Sequence, residues 1–145
     1  FLAVEPTAAA EARGAKVLGH IFGFGTAFEA PTSDVALFHA SAAAVSRALR
    51  SALADAGIEA SAVGRVVSGI AGLPRFDEAE HDGITDVFGA SIAIERPKAR
   101  FGETLGASGT LAVATALAGP TSATFTAVVS VGYYGNVSAV IVRSA

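Results

Sequence analysis

The residue types that most often perform nucleophilic, acid–base and metal chemistry are sparse in this 145-residue chain. It has no cysteine, which excludes thiol nucleophiles, disulfides and thiolate metal sites. Its three histidines, His20, His39 and His81, have no partner at metal-ligand spacing, and we interpret them as structural or surface residues. We therefore expect that the chain alone is not a complete catalyst and that it holds no metal or cofactor.

Carboxylates and glycine-rich stretches are the next candidates for a site. Four carboxylates cluster at Asp77, Glu78, Glu80 and Asp82. They could bind a cation, but acidic residues in the first turn of a helix also stabilise the helix dipole, and we favour that interpretation. The stretch GHIFGFGT (19–26) lacks phosphate-loop spacing, and Ser108 in GASGT is not in a nucleophile elbow. Neither nucleotide binding nor hydrolysis is indicated.

The composition narrows the class of protein and of partner. Apolar residues make up 52% of the chain and charged residues 16%, with a net charge of −3. No basic stripe is present for a nucleic acid to contact, no apolar run has the length of a membrane span, and no signal peptide is recognisable. We predict a cytoplasmic protein, and the shortage of charge predicts a large interface with a partner protein.

Hydrophobic periodicity predicts one α/β domain over residues 1–145, with helices covering a mixed sheet in the order β-β-α-β-α-β-α-β-β. The predicted strands are Phe1–Glu5, Lys16–Phe28, Val63–Val67, Ser91–Ile94, Thr124–Val131 and Val137–Val142.

Three helices are predicted. The first is amphipathic and runs from the start signal Pro31-Thr32-Ser33 through Val35 to Ala56. The others are Asp77–Phe88, with Asp77 as its cap, and Glu103–Ala118. The last carries no charge after its first residue, which predicts burial in the middle of the structure. Glycines 19, 23 and 25 predict bulges or bends, and Gly135-Asn136 predicts an antiparallel hairpin.

Five segments in this order resemble one family. They are LAVEPTAAAEARGAKVLGHIFGFGT, ALADAGI, DEAEHDGITDVFG, PKARFGETLGASGTLAVATALA and VSVGYYGNVSAVIV. Together they are similar to the C-terminal half of the β-ketoacyl synthases, the thiolase-fold condensing enzymes of fatty-acid and polyketide synthesis. The resemblance runs from Phe1 to Val142 and implies one thiolase-like half of a larger two-half assembly.

The resemblance also implies which residues stand at the catalytic positions of the family. Active members have a cysteine nucleophile in the N-terminal half, outside this chain, and two histidines in the C-terminal half. Ser68, in SGIAG, stands at or near the first histidine position, and Glu103, in GETLGASG, stands at the second. A carboxylate repels a developing oxyanion, and a serine hydroxyl does not titrate near neutral pH, so most condensation chemistry should be lost. The lysine of the family motif is retained as Lys98, which could form an ion pair with Glu103.

A chain that keeps the fold but lacks these catalytic groups resembles the chain-length factors, also called ketosynthase β-subunits. The segment AGLPRFDEAEHDGITDVFG is similar to their sequence at the same place. This implies a non-catalytic subunit that pairs with an active ketosynthase bearing Cys and His, works on acyl carrier protein thioesters and shapes the acyl pocket. The alternatives are the C-terminal portion of a divergent but active synthase, and a scaffold with no acyl role. Phe22, Phe24, Tyr133 and Tyr134 could line an acyl cavity, although core packing is the favoured interpretation.

Overall fold

The computed structural model describes residues 2–33, 38–119 and 124–145. Five strands are present: β1 (Gly19–Phe28), β2 (Val63–Val67), β3 (Ala93–Glu95), β4 (Phe125–Val131) and β5 (Asn136–Ser144). The helices are α1 (Thr7–Ala12), α2 (Ala42–Ala56), α3 (Pro74–Phe88), α4 (Pro97–Phe101) and α5 (Ser108–Ala118). Single 3₁₀ turns lie at Ala60–Ala62 and Leu105–Ala107.

The strands form one mixed sheet in the spatial order β1-β5-β4-β2-β3. Strand β2 is parallel to β3 and β4, whereas β5 is antiparallel to both β4 and β1. The β4–β5 pair is the predicted hairpin, closed where the Gly132 amide donates to the Asn136 carbonyl oxygen at 2.8 Å. The predicted α/β class with a mixed sheet is therefore confirmed.

Helices cover both faces of the sheet. Successive residues of a strand point to opposite faces, so Val129 and Ile141 pack in the larger core beneath α2 and α3. Their neighbours Val128 and Val142 pack instead beneath α5, together with Ala112 of that helix. The sheet is thus buried on two sides, which explains why its central strands are almost continuously apolar.

Two glycines of β1 let helix α2 lie directly on the strand. A Cβ at Gly23 would lie 2.6 Å from the Ala52 carbonyl oxygen, and one at Gly25 would lie 2.6 Å from the Ala52 amide nitrogen. These neighbours are backbone atoms, which cannot move aside as the end of a side chain can. The bulge in β1 falls between Ile21 and Gly23, so the glycines are required mainly for close packing of the helix.

Replacement of Gly25 with alanine is expected to lower the free energy of unfolding by about 1–3 kcal/mol, because the added methyl must push α2 away from the sheet. Urea denaturation measures the change. Gly106→Ala is the matched control, since a Cβ at that position meets nothing within 4 Å. Equal unfolding free energies for the two variants would contradict the close-packing explanation.

The first half of the chain departs from the sequence prediction at two places. The strand predicted at Phe1–Glu5 is wrong for its described part, because residues 2–6 pair with no strand and α1 begins at Thr7. The long helix begins at Ala42 and not at Pro31-Thr32-Ser33, since Phe38 to Ala40 are not helical; Val35 lies outside the described residues. Ser41 is the cap, and its hydroxyl accepts from the Ala44 amide at 3.2 Å.

The second half departs at the starts of its two helices. Helix α3 begins at Pro74, so Asp77 is not the cap; its carboxylate accepts from the Ala71 and Gly72 amides of the preceding loop. The helix predicted at Glu103–Ala118 is split, because α5 starts only at Ser108 after the 3₁₀ turn. Two glycines, Gly102 and Gly106, interrupt the helical pattern here, and Gly102 has a φ of +77°.

Helix α5 is also less buried than its composition predicted. Only Ala112 and Ala116 are buried, and the other residues of the helix are half-buried or exposed. In this chain α5 is an outer layer on one face of the sheet, not a central element. Among the described residues, no helix has both the length and the apolar character needed to cross a membrane.

Candidate functional site

Ser68 lies immediately after β2 and has its hydroxyl fully engaged. The residue is 1% exposed, and its Oγ donates to Glu80 Oε1 at 2.7 Å while accepting from the Ile70 amide at 3.1 Å. A serine hydroxyl has one hydrogen to donate. Ser68 therefore has no donor left for a ligand while this bond to Glu80 persists.

Glu80 is the buried carboxylate of α3, and its burial is the feature that the sequence interpretation missed. It is 0% exposed, and Oε1 accepts from both Ser68 and the Gly69 amide, at 2.7 Å each. Within the described part of the chain, Oε2 has no hydrogen-bond partner. Burial raises the pKa of Glu80 to about 7, against the opposing effects of the two hydrogen bonds and of Lys98.

A signal for this burial was present in the spacing of α3. Phe76, Gly83 and Ile84 are buried with Glu80, so this carboxylate falls on the inner stripe of the helix. The helix-dipole interpretation of the acidic cluster is thus wrong for Glu80, whereas Asp77 does lie in the first turn. His81 and Asp82 lie outside the stripe, with Nδ1 and Oδ1 3.6 Å apart.

Lys98 of α4 and Glu103 form the expected ion pair, with Nζ 2.9 Å from Oε2. The other carboxylate oxygen accepts from the Leu105 amide at 2.7 Å and from Ser108 Oγ at 3.1 Å. Burial acts to raise the pKa of Glu103, but the Lys98 ammonium and these two donors outweigh it and lower the pKa to about 2. Glu103 is consequently an anion at any ordinary pH.

Tyr133, in the β4–β5 connection, interacts with both Glu103 and Lys98. Partial burial and the neighbouring Glu103 carboxylate raise the pKa of its phenol, since both disfavour a phenolate. Its ring packs edge-on against Phe38 at 5.0 Å and Phe76 at 5.8 Å between centroids. For Tyr133 the core-packing interpretation agrees with these contacts.

The structure gathers these residues into one site, which we define as Ser68, Glu80, Lys98, Glu103 and Tyr133. Lys98 links its two parts, because its ammonium interacts electrostatically with both Glu80 and Glu103. The site contains no imidazole and no thiol, and its Glu103 carboxylate is saturated with donors. Its donors are the Ser68 and Tyr133 hydroxyls and the Lys98 ammonium, which are directed at Glu80 and Glu103.

Two of the three histidines, His20 and His81, lie outside this site, and His39 contacts it at Tyr133. His20 packs its ring 6.3 Å from that of Phe22 on β1, and His81 faces solvent on α3. The His39 amide donates to the Tyr133 carbonyl oxygen at 2.7 Å, and its imidazole also lies at the hairpin connection, with Cδ2 2.9 Å from the position of a Cβ at Gly135. Among the residues that the structure describes, no three His, Cys, Asp or Glu side chains converge to hold a metal ion.

The core-packing interpretation is wrong for two of the aromatic residues. Phe24 is 64% exposed on the edge strand β1, and Tyr134 is also exposed. Phe22 is only partly covered; its ring packs against Phe125 at 4.9 Å, with the Arg143 guanidinium 4.8 Å above it. The strand pattern could not reveal this, because β1 is an edge strand and its side chains are covered on one face only.

The family follows from a direct sequence match, with which the fold agrees. The model of the β-ketoacyl synthase C-terminal domain matches residues 18–126, most of the chain. The chain therefore belongs to the β-ketoacyl synthase family and contains its C-terminal domain, with the thiolase-like α/β fold that the resemblance implied.

Solved structures agree on the fold. The ishigamide ketosynthase/chain length factor aligns with a TM-score of 0.84 at 20% identity, over 97% of this chain and 41% of that chain. A β-ketoacyl synthase from Burkholderia phymatum STM815 aligns with a TM-score of 0.75 at 21% identity, over 97% and 41%. The structure of AntDE:AntF, a type II polyketide synthase acyl carrier protein in complex with its ketosynthase, aligns with a TM-score of 0.82 at 20% identity, over 97% and 42%. This chain thus spans about two fifths of the length of these proteins.

Proposed function

We propose that this chain is the C-terminal portion of a non-catalytic, chain-length-factor-like ketosynthase subunit. It pairs with an active β-ketoacyl synthase that carries the Cys and His residues, and it helps to shape the pocket that receives the growing acyl chain. The acyl carrier protein delivers its thioesters to the assembled pair. The subunit itself transfers no acyl group.

The observation that supports this proposal is the state of the two residues that the family resemblance assigns to the histidine positions, Ser68 at or near the first and Glu103 at the second. The Ser68 hydroxyl donates its only hydrogen to the buried Glu80, and Lys98 stabilises Glu103 as an anion. Neither can donate a hydrogen bond to an enolate or thioester oxygen, which is the task of a histidine at an oxyanion site. A negative charge at Glu103 would also oppose the charge that develops during condensation.

A partner surface is supported by the apolar side chains that this chain leaves in solvent. Leu18, Phe24 and Phe28 are exposed on or beside the edge strand β1, and Val4 is exposed in the segment before α1. Several large apolar side chains exposed close together on a protein surface indicate an interaction surface. Structures similar to this chain include a ketosynthase/chain length factor and a ketosynthase in complex with an acyl carrier protein.

The experiment uses the full protein that contains this chain, alone and mixed with a Cys-bearing ketosynthase from the same source. Each preparation is incubated with acyl carrier protein loaded with an acyl group, and intact-protein mass spectrometry locates the adduct. We expect the acyl mass on the ketosynthase and no adduct on the protein containing this chain. The two proteins should also copurify.

Two results would contradict the proposal. A stable acyl adduct on the protein containing this chain would favour the alternative of a divergent but active synthase. Failure to copurify with any Cys-bearing ketosynthase would remove the partner role. A cysteine-to-alanine variant of the ketosynthase is the control, since it should abolish the adduct without disturbing the complex.

A further inference from the structure

Three donors from the segment 98–108 converge on the Glu103 carboxylate, and the Tyr133 phenol interacts with it as well. Lys98 Nζ contacts Oε2 at 2.9 Å, while the Leu105 amide and Ser108 Oγ contact Oε1 at 2.7 and 3.1 Å. A surface ion pair between a lysine and a glutamate needs only the first of these contacts. Two further donors contact Oε1, so both oxygens of the carboxylate accept hydrogen bonds. A binding site for a carboxylate has donors for both oxygens in the same way.

The backbone at Leu105 holds its amide in an unusual position. Its φ of +48° lies in the left-handed region, and Leu105 is the only non-glycine residue with a positive φ in the described part of the chain. A branched side chain disfavours this conformation, which therefore persists only where its surroundings require it. Here it aims the Leu105 N–H at Glu103 Oε1.

The site is covered on its Lys98 side and more open at Glu103. The Lys98 side chain is 10% exposed, whereas the Glu103 side chain is 32% exposed. Ser108 is the first residue of α5, and its hydroxyl also contacts Thr104 Oγ1 at 3.1 Å. A small solute could reach the three donors if the Glu103 side chain were removed.

We propose that Lys98, the Leu105 amide and the Ser108 hydroxyl form a binding site for one carboxylate, and that Glu103 occupies it as an internal ligand. The occupied site is closed to carboxylate-bearing molecules from solution. Glu103 then acts as an autoinhibitory contact within the chain. This inference does not depend on the acyl role proposed above, because it concerns the binding of a free carboxylate.

Truncation of Glu103 tests the proposal directly. Glu103→Ala keeps Cβ and removes the equivalent of one acetate ion, so acetate should bind in the vacated space. The full protein is titrated with sodium acetate at constant ionic strength, and the shift of the Leu105 amide resonance is followed by NMR. We expect saturable binding in the variant, stronger by roughly tenfold or more than in the wild type. Acetamide, which has the same shape without the charge, should bind neither protein.

The double variant Lys98→Ala/Glu103→Ala separates this site from general anion binding. It should lose the acetate response, because the only ammonium in the site is gone. Equal acetate binding by the wild type and Glu103→Ala, or by the single and double variants, would overturn the proposal.

Glu103→Ser is a second truncation for the case in which the alanine variant folds poorly. If acetate restores the folding of either variant and acetamide does not, the result would support the proposed carboxylate site. Failure of both to fold even in acetate would contradict it, since a refilled site should support this segment as Glu103 does.

Discussion

Replacement of Glu80 with glutamine should remove the contribution that this carboxylate makes to the pH dependence of stability between about pH 4.5 and 7. The carboxylate is wholly buried, and its pKa rises from an ordinary 4.5 to about 7 on folding. Glutamine keeps the shape and an oxygen that can accept from Ser68 and Gly69, but it cannot ionise. The variant should therefore gain stability relative to the wild type as the pH increases.

The sign follows from proton linkage. The folded state holds the proton of Glu80 more tightly than the unfolded chain, so this contribution to stability is complete below pH 4.5 and is lost as the pH rises through 7. At about 1.4 kcal/mol per pH unit, the difference between the glutamine variant and the wild type should grow by about 3 kcal/mol from pH 4 to pH 8. The neighbours Lys98 and Asp77 act on Glu80 in opposite directions.

Unfolding free energies from urea denaturation at four or five pH values measure this difference. Glu78→Gln is the matched control, because Glu78 lies on the same helix but is exposed. Its profile should run parallel to that of the wild type. Parallel profiles for Glu80→Gln and the wild type would show that Glu80 is not a buried titrating group.

Replacement of Leu49 with alanine should lower the free energy of unfolding by about 2–5 kcal/mol. Leu49 is 0% exposed on the inner face of α2 and belongs to the core cluster with Ile84, Val129 and Ile141. The truncation leaves a cavity where helix and sheet meet, and the close contact of α2 with the glycines of β1 limits how far the helix can move to fill it. Chemical denaturation with a two-state fit gives the value.

Leu18→Ala is the control for Leu49, because Leu18 is the same residue type but exposed beside β1. Its effect should stay within about 0.5 kcal/mol of the wild type in the separate chain. A small loss at Leu49 would mean that the cluster beneath α2 does not form the main core. If the partner surface includes Leu18, its substitution should instead weaken copurification with the ketosynthase.

The elements that the sequence predicted well are those whose signals are local. The strand at Val63–Val67 matches β2, the two closing strands match β4 and β5 to within a few residues, and Gly57 ends α2 with a φ of +65°. Periodicity and a left-handed terminal residue depend only on near neighbours. The strand predicted at Phe1–Glu5 fails because an apolar run becomes a strand only when another strand pairs with it.

Helix starts were predicted less well, because several residues compete for the same role. Ser33 and Ser41 are both acceptable caps by type, and the structure uses Ser41. Asp77 looked like a cap, but Pro74 already supplies a favourable first residue for α3, which leaves Asp77 to bind loop amides. Which of two local signals prevails depends on the path of the chain before the helix.

The sequence by itself determined which chemical groups the site contains. The chain has no thiol, and Lys98 is retained. Ser68 and Glu103 stand at the positions that the family resemblance assigns to histidine. Only the tertiary structure decided what these groups do. Ser68 and Glu80 are twelve residues apart, and their hydrogen bond exists because the end of β2 and the inner stripe of α3 meet in space. Burial, opposed by the long-range contact with Ser68, sets the pKa of Glu80, whereas the charge of Glu103 is held by donors close to it in the chain, at Lys98, Leu105 and Ser108. Residue types and spacing alone do not contain the burial of Glu80 or the geometry of these donors.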